Sequence, residues 1–259
     1  MSRWLLILAA WLLIASAQAE APARIAAASD LRFALDQMLA EYQGESGGAN
    51  LSVVYGSSGN FARQIERGAP FSLYFSADEA YVARLAEQGL THDAGDRYAV
   101  GRLALVDRGK LGESLTLEGL AEHWPAGRLR RFAIANPEHA PYGVAARQVL
   151  QSLDLYRAEP VQLVLGENVA QAAQYIRGGS VDAGLVAYSL VRGEGFMQPG
   201  MRHYLVPAEH HAALNQRMVR LKHGSARQQA AVDGFYQFVL SERGQAILAD
   251  FGFEPPGTG

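Results

Sequence analysis

The sequence predicts an α/β protein of two lobes with mainly parallel sheets. Short apolar stretches alternate with amphipathic helical ones along almost the whole chain, and a parallel crossover needs a covering helix. The alternation restarts after Gly101. Apolar stretches also end repeatedly in turns of small polar residues that open helices, which places those turns at the carboxyl ends of strands, where open sheets bind ligands.

The first cycle begins with Arg24–Ala28 as a buried strand. Ser29-Asp30 starts a helix on which Leu31, Leu35, Met38, Leu39 and Tyr42 share one face. Leu51–Tyr55 is the next strand, followed by the turn Gly56-Ser57-Ser58-Gly59-Asn60 and a helix through Arg67. Phe71–Phe75 is a strand ending in Ser76-Ala77-Asp78, which opens the helix Glu79–Gln88. After Gly101 come a strand at Arg102–Val106, a short helix at Leu117–His123 and a strand at Phe132–Ala135. The last of these feeds the turn Asn136–Gly143 and the helix Val144–Leu153. Strand Val161–Leu165, helix Val169–Arg177 and strand Val181–Ala187 follow. Tyr204–Val206 and Arg217–Leu221 read as extended, and the helices Ala226–Leu240 and Glu242–Asp250 close the chain. The predicted division is residues 20–100 with 224–259 in the first lobe and 101–223 in the second, with crossings near 99–103 and 207–223.

Residues 1–19 read as an export leader: Arg3, an apolar run from Trp4 to Ala15, then Ala17-Gln18-Ala19 as a cleavage site. The apolar run is shorter than a bilayer span, which argues against an uncleaved anchor. A periplasmic location follows. The chain has no cysteine, so disulfides and thiolate zinc sites are excluded. Its formal charge is −3, and losing Arg3 with the leader leaves −4. Binders of nucleic acid or anionic membrane are normally basic, so neither partner is expected. The seven histidines show no H-x-x-x-H or H-E-x-x-H spacing, so no metal site and no cofactor are expected.

The turns carry the candidate chemistry. A helix start exposes unpaired N–H groups and the positive end of a dipole, which suits a small anion. Ser29 alone reads as an N-cap, and Gly56-Ser57-Ser58-Gly59 alone as a turn, but both can offer donors to an anion. The latter is no P-loop, lacking the Lys-Ser/Thr ending, and no nucleophile elbow, because Asn60 stands two after Ser58. Pro141-Tyr142-Gly143 puts a phenol at a helix start, and Tyr188 ends a strand on the same side. Asn168 caps a helix whose first N–H belongs to Val169.

In order, these blocks resemble the periplasmic molybdate-binding proteins of ABC importers. The resemblance runs through Ala26-Ala27-Ala28-Ser29-Asp30-Leu31, Gly56-Ser57-Ser58-Gly59, Gly68-Ala69-Pro70-Phe71 and Phe75-Ser76-Ala77-Asp78. It continues through Asn136 to Gly143, Gly166-Glu167-Asn168-Val169, Asp182 to Ser189 and Phe251-Gly252-Phe253. It implies a type II periplasmic-binding-protein fold, with the ligand cleft between lobes joined by a two-strand hinge. It further implies a monomeric receptor, not an enzyme, that binds molybdate or tungstate without a cation and hands it to the transmembrane subunits of an ABC permease. Residue by residue it points to Ser29, Ser58, Tyr142, Val169 and Tyr188 as ligand-binding, with Tyr142 where many relatives have alanine. Two positions depart from the pattern. Asp30 stands where some relatives carry asparagine, and Leu190 follows Ser189 where aspartate is usual. A carboxylate at Asp30 repels a dianion unless it turns away or is protonated. A receptor for sulfate, thiosulfate or a small organic acid on the same fold is the alternative, and an exported hydrolase the distant one.

Overall fold

The computed structural model describes residues 21–46, 50–113 and 115–257, so the leader assigned to residues 1–19 lies outside the described residues. The first sheet has the order β2 (Leu51–Gly56), β1 (Ala23–Ala28), β3 (Leu73–Ser76), β10 (Leu214–Arg220), β4 (Asp96–Gly101). β1 pairs in parallel with β2 and β3, whereas β10 runs antiparallel to β3 and β4. The second sheet repeats this plan as β7 (Gln162–Gly166), β6 (Arg131–Ala135), β8 (Ala183–Ala187), β5 (Leu103–Asp107), β9 (Arg202–Leu205). There β5 is the strand that opposes its neighbours. Each sheet is thus parallel but for one strand.

Side-chain alternation along these strands builds a layer on each face of the first sheet. Ile25, Phe75 and Met218 point to one core with Leu35, Met38 and Phe235, under α1 (Arg32–Ser46), α8 (Ala226–Leu240) and α9 (Glu242–Asp250). Their neighbours Ala26, Tyr74 and Val219 point to the other, with Phe61, Ile65 and Val82 of α2 (Ser58–Glu66) and α3 (Glu79–Glu87). The alanines of β1 leave room for helices on both sides. The second lobe packs α4 (Leu117–His123), α5 (Pro141–Ser152), α6 (Val169–Arg177) and the short α7 (Tyr188–Val191) around Trp124, Phe132, Leu105 and Ile176. With no disulfide available, these buried apolar clusters carry the stability.

The chain crosses between the sheets twice. β4 passes to β5 through Arg102 alone, and β9 passes to β10 through residues 206–213. The crossings are tied together: Val206 N–H donates to Leu103 O at 2.9 Å, and Arg102 Nη2 donates to Val206 O at 3.1 Å. Arg102 also pairs with Glu254, and Glu254 exchanges backbone bonds of 2.8 and 2.9 Å with Val100.

Three elements differ from the sequence-based expectation. Leu214–Arg220 lies in the first sheet, whereas the boundary at 223 assigned it to the second lobe. Met218 and Val219 fill opposite faces of the first sheet, so burial draws this strand there. β4 was not foreseen, because Asp96 and Arg97 at its start mask a strand at the sheet edge. α7 begins directly at Tyr188, where only a strand end was expected.

Candidate functional site

The carboxyl ends of β1, β2, β6 and β7 face one another across the gap between the sheets. Each delivers a helical start: the 3-10 turn Ser29–Leu31, then α2, α5 and α6. The first N–H groups of a helix have no partner inside it. Three of these starts therefore aim the amides of Ser58, Tyr142 and Val169 at the gap, with their dipoles adding to the same positive potential. α5 begins with Pro141, whose missing N–H costs nothing at that position.

A small cavity sits where these starts meet, lined by Ser29, Asp30, Gly56, Ser57, Ser58, Ala77, Ala140, Tyr142, Asn168 and Val169 among others. Its volume is about 10 Å³ of space open to the centre of a water molecule. A round void of that measure has a radius of about 2.7 Å, the scale of one tetrahedral oxyanion. Among the described residues no lysine or arginine lines it. A larger groove of about 280 Å³ lies between α1 and α6, lined by Arg32, Phe33, Arg177, Glu194 and Phe196. Arg177 Nε there donates to Gly195 O at 3.0 Å, and Glu194 shares the wall. A compact anion gains more from donors on all sides than from an open, mixed-charge wall.

Four of the five residues expected at the site line this one cavity: Ser29, Ser58, Tyr142 and Val169. Tyr188 is the exception. Its N–H donates to Arg102 O at 2.8 Å, and its ring lies 5.6 Å from that of His203. Because α7 starts at this residue, the side chain leaves the strand direction and packs beside His203 of β9.

The cavity wall also fastens the lobes. Ser29 Oγ donates to Asn168 Oδ1 at 3.1 Å and accepts the Ala170 amide at 3.2 Å. Ser57 Oγ donates to His139 O at 2.5 Å, and the Gly59 amide donates to the same carbonyl at 3.0 Å. His139 Nδ1 lies 2.9 Å from Ser57 Oγ, which makes Nδ1 the protonated nitrogen of a neutral ring because that hydroxyl already donates elsewhere. Burial holds the His139 pKa below its ordinary value, against the opposing pull of Glu167. Ser189 Oγ donates to Asp30 O at 2.7 Å.

Beneath the cavity a polar network crosses between the lobes, and sequence reading did not find it. Tyr98 donates to Gln216 Oε1 at 2.5 Å, and Gln216 Nε2 donates to Asp30 Oδ2 at 2.5 Å and to the Tyr142 oxygen at 3.2 Å. Asp30 is 1% exposed, and burial pushes its carboxyl up to about 6, against the lowering effect of the Gln216 bond and the nearby Tyr142 phenol. Tyr98 and Tyr142 are raised well above the usual phenol range, first by burial and then by the Asp30 charge. No local motif marks Tyr98 or Gln216. Only the pairing of β10 beside β3 and β4 brings Gln216 to Asp30.

Comparison with known proteins agrees with this architecture. A family model described as bacterial extracellular solute-binding protein matches residues 23–254. The molybdate-binding protein ModA of Azotobacter vinelandii is 30% identical over 255 residues, 98% of this chain and 97% of that one. ModA of Rhodobacter capsulatus is 32% identical over 213 residues, 81% of this chain and 79% of that one. Among solved structures, the periplasmic molybdate-binding protein of Azotobacter vinelandii superposes with a TM-score of 0.80 at 28% identity, over 90% of this chain and 99% of that one. The sulfate-binding protein SubI of Mycobacterium tuberculosis H37Rv, at 15% identity and a TM-score of 0.73 over 92% of this chain and 88% of that one, shares the fold. Two lobes of matching topology, a donor-lined cleft between them and relatives matched almost end to end place this chain in the family of bacterial extracellular solute-binding proteins.

Proposed function

We propose that this protein binds molybdate between its lobes in the periplasm and delivers it to the transmembrane subunits of an ABC importer. The observation that carries the reading is the cavity itself. Donors from both lobes surround a space the size of one tetrahedral ion, with no cation in its wall. Ser29 and Ser58 supply hydroxyls, while Tyr142 and Val169 supply first-turn amides. The molybdate-binding relatives, matched over most of their lengths, support the choice of ion.

Binding here needs no covalent chemistry. Stripping water from a dianion is costly unless each oxygen finds a donor, and fixed donors in a buried cleft meet that need. Each charge-assisted bond contributes on the order of 1.5–3 kcal/mol. Closure also makes the contacts between lobes that distinguish a loaded receptor from a free one, which is the signal a permease can read. Tungstate, of like charge and shape, is proposed as a second ligand, and the receptor as a monomer that reaches the periplasm by a cleaved leader.

Sulfate is the specific competitor, since a sulfate-binding protein shares the fold. Titration calorimetry of the mature chain with molybdate, tungstate and sulfate separates them. Tight one-to-one binding of molybdate with weak or absent sulfate binding is expected. Tight sulfate binding beside micromolar or weaker molybdate binding would reverse the assignment.

A further inference from the structure

Asp30 is an acid in a wall otherwise made of donors. It lines the cavity and is almost wholly buried. Oδ2 is held by Gln216 Nε2 at 2.5 Å, and Gln216 is itself fixed by Tyr98. Oδ1 is buried and has no hydrogen-bond partner. A buried carboxylate oxygen without a donor is strongly unfavourable, so something must be supplied to it. The ligand cannot supply it, because a fully ionised oxyanion offers only acceptor oxygens. Two acceptors brought together need a hydrogen between them, and two negative charges in a cleft without a cation need one neutralised.

We propose that Asp30 takes the anion as a carboxylic acid, so that each dianion is captured together with one proton held between Asp30 Oδ1 and an oxygen of the ligand. This rests on the oxyanion reading of the cleft. The balance is simple: the carboxylate and one solvent proton form the acid O–H, which donates to the anion, and no other bond forms or breaks. The site then carries the charge of the dianion alone.

The surroundings favour the acid form. Burial already holds this carboxyl far above its usual range in the absence of an anion. The groups that face it are Tyr98 from β4, Tyr142 from α5, Gln216 from β10 and the backbone amides of Asp30 and Leu31. Both phenols are held neutral by burial, and the amides do not titrate. No cation appears among the causes that set the carboxyl. His139, the other titratable group near the cavity, has its pKa lowered by burial in the anion-free protein, against the pull of Glu167.

The test is titration calorimetry of the mature wild-type chain with sodium molybdate at pH 8, in Tris and in HEPES, whose different ionisation heats report the protons exchanged. Molybdate is a dianion throughout this range. Uptake close to one proton per molybdate is expected, with affinity falling about tenfold per unit from pH 7 to 9. Asp30→Asn, which offers an N–H in place of the acid O–H, is expected to bind without proton uptake and with a flat pH profile over the same range. Tight molybdate binding by the wild type with no proton uptake would overturn the inference and leave the oxyanion reading standing. The same uptake in Asp30→Asn would also overturn it, because the proton would then sit elsewhere. Absence of molybdate binding at every pH would remove the oxyanion reading and the proton with it.

Discussion

Ser29 in the first lobe donates its hydroxyl hydrogen to Asn168 Oδ1 in the second, at 3.1 Å. The same oxygen of Asn168 accepts the Gln171 amide at 3.0 Å, so the residue that caps α6 also latches the lobes. An anion entering the cavity competes for that hydroxyl, which makes Ser29 a shared element of closure and recognition. Ser29→Ala removes the donor and leaves the lobe cores intact. Its molybdate affinity is expected to fall by roughly 1.5–3 kcal/mol, read by calorimetry, with the urea midpoint of the anion-free protein nearly unchanged.

Gly59 stands directly against the opposite lobe, its amide donating to His139 O at 3.0 Å. A Cβ there would lie 2.7 Å from both His139 O and the Tyr81 hydroxyl. The carbonyl belongs to the opposite lobe and cannot give way unless the cleft opens. Gly59→Ala is therefore expected to weaken molybdate binding by about 1–3 kcal/mol, while the favourable helix propensity of alanine preserves the fold. Calorimetry measures the first effect and thermal unfolding the second. A matching loss in both would place the strain in the fold rather than in closure.

Asp30 also bears on stability. Its folded pKa, near 6, lies above the ordinary value of 3.8, so the folded state binds more protons between these limits. Folding is thus penalised above pH 6, and the penalty is relieved as pH falls through 6 toward 4. Asp30→Asn is expected to stabilise the anion-free protein at pH 7.5 by about 1–3 kcal/mol, with the gap closing as pH falls toward 4. Urea unfolding across this range gives the answer.

Tyr188→Phe tests the residue that the structure sets apart from the cavity. With its ring against His203, the phenol is expected to contribute little, and affinity for molybdate is expected to stay within about threefold of wild type, below ~0.7 kcal/mol. A larger loss in calorimetry would mean that Tyr188 reaches the ligand in the bound state.

The architecture was legible because strand and helix alternate cleanly and each helix start is marked locally. Ser29, Ser58, Pro141 and Asn168 each sit at a helix start. Those marks also located most of the cavity wall, since helix starts at strand ends converge by topology. What the sequence hid depends on tertiary pairing. Gln216 sits on an unremarkable strand and acquires its role only because β10 returns to the first sheet beside β4 and Tyr98. Tyr188 stands apart for the opposite reason. Its position at a strand end suggested the cleft, but α7 starts on it and its ring packs beside His203 of β9.

The most direct measurement is anomalous diffraction from crystals of the mature chain grown with molybdate, which locates the molybdenum itself. One strong peak inside the cavity bounded by Ser29, Ser58, Tyr142 and Val169 is predicted, with each oxygen within hydrogen-bond distance of donors from both lobes. A peak beside Arg32 and Arg177 in the larger groove, with none in the cavity, would contradict the account.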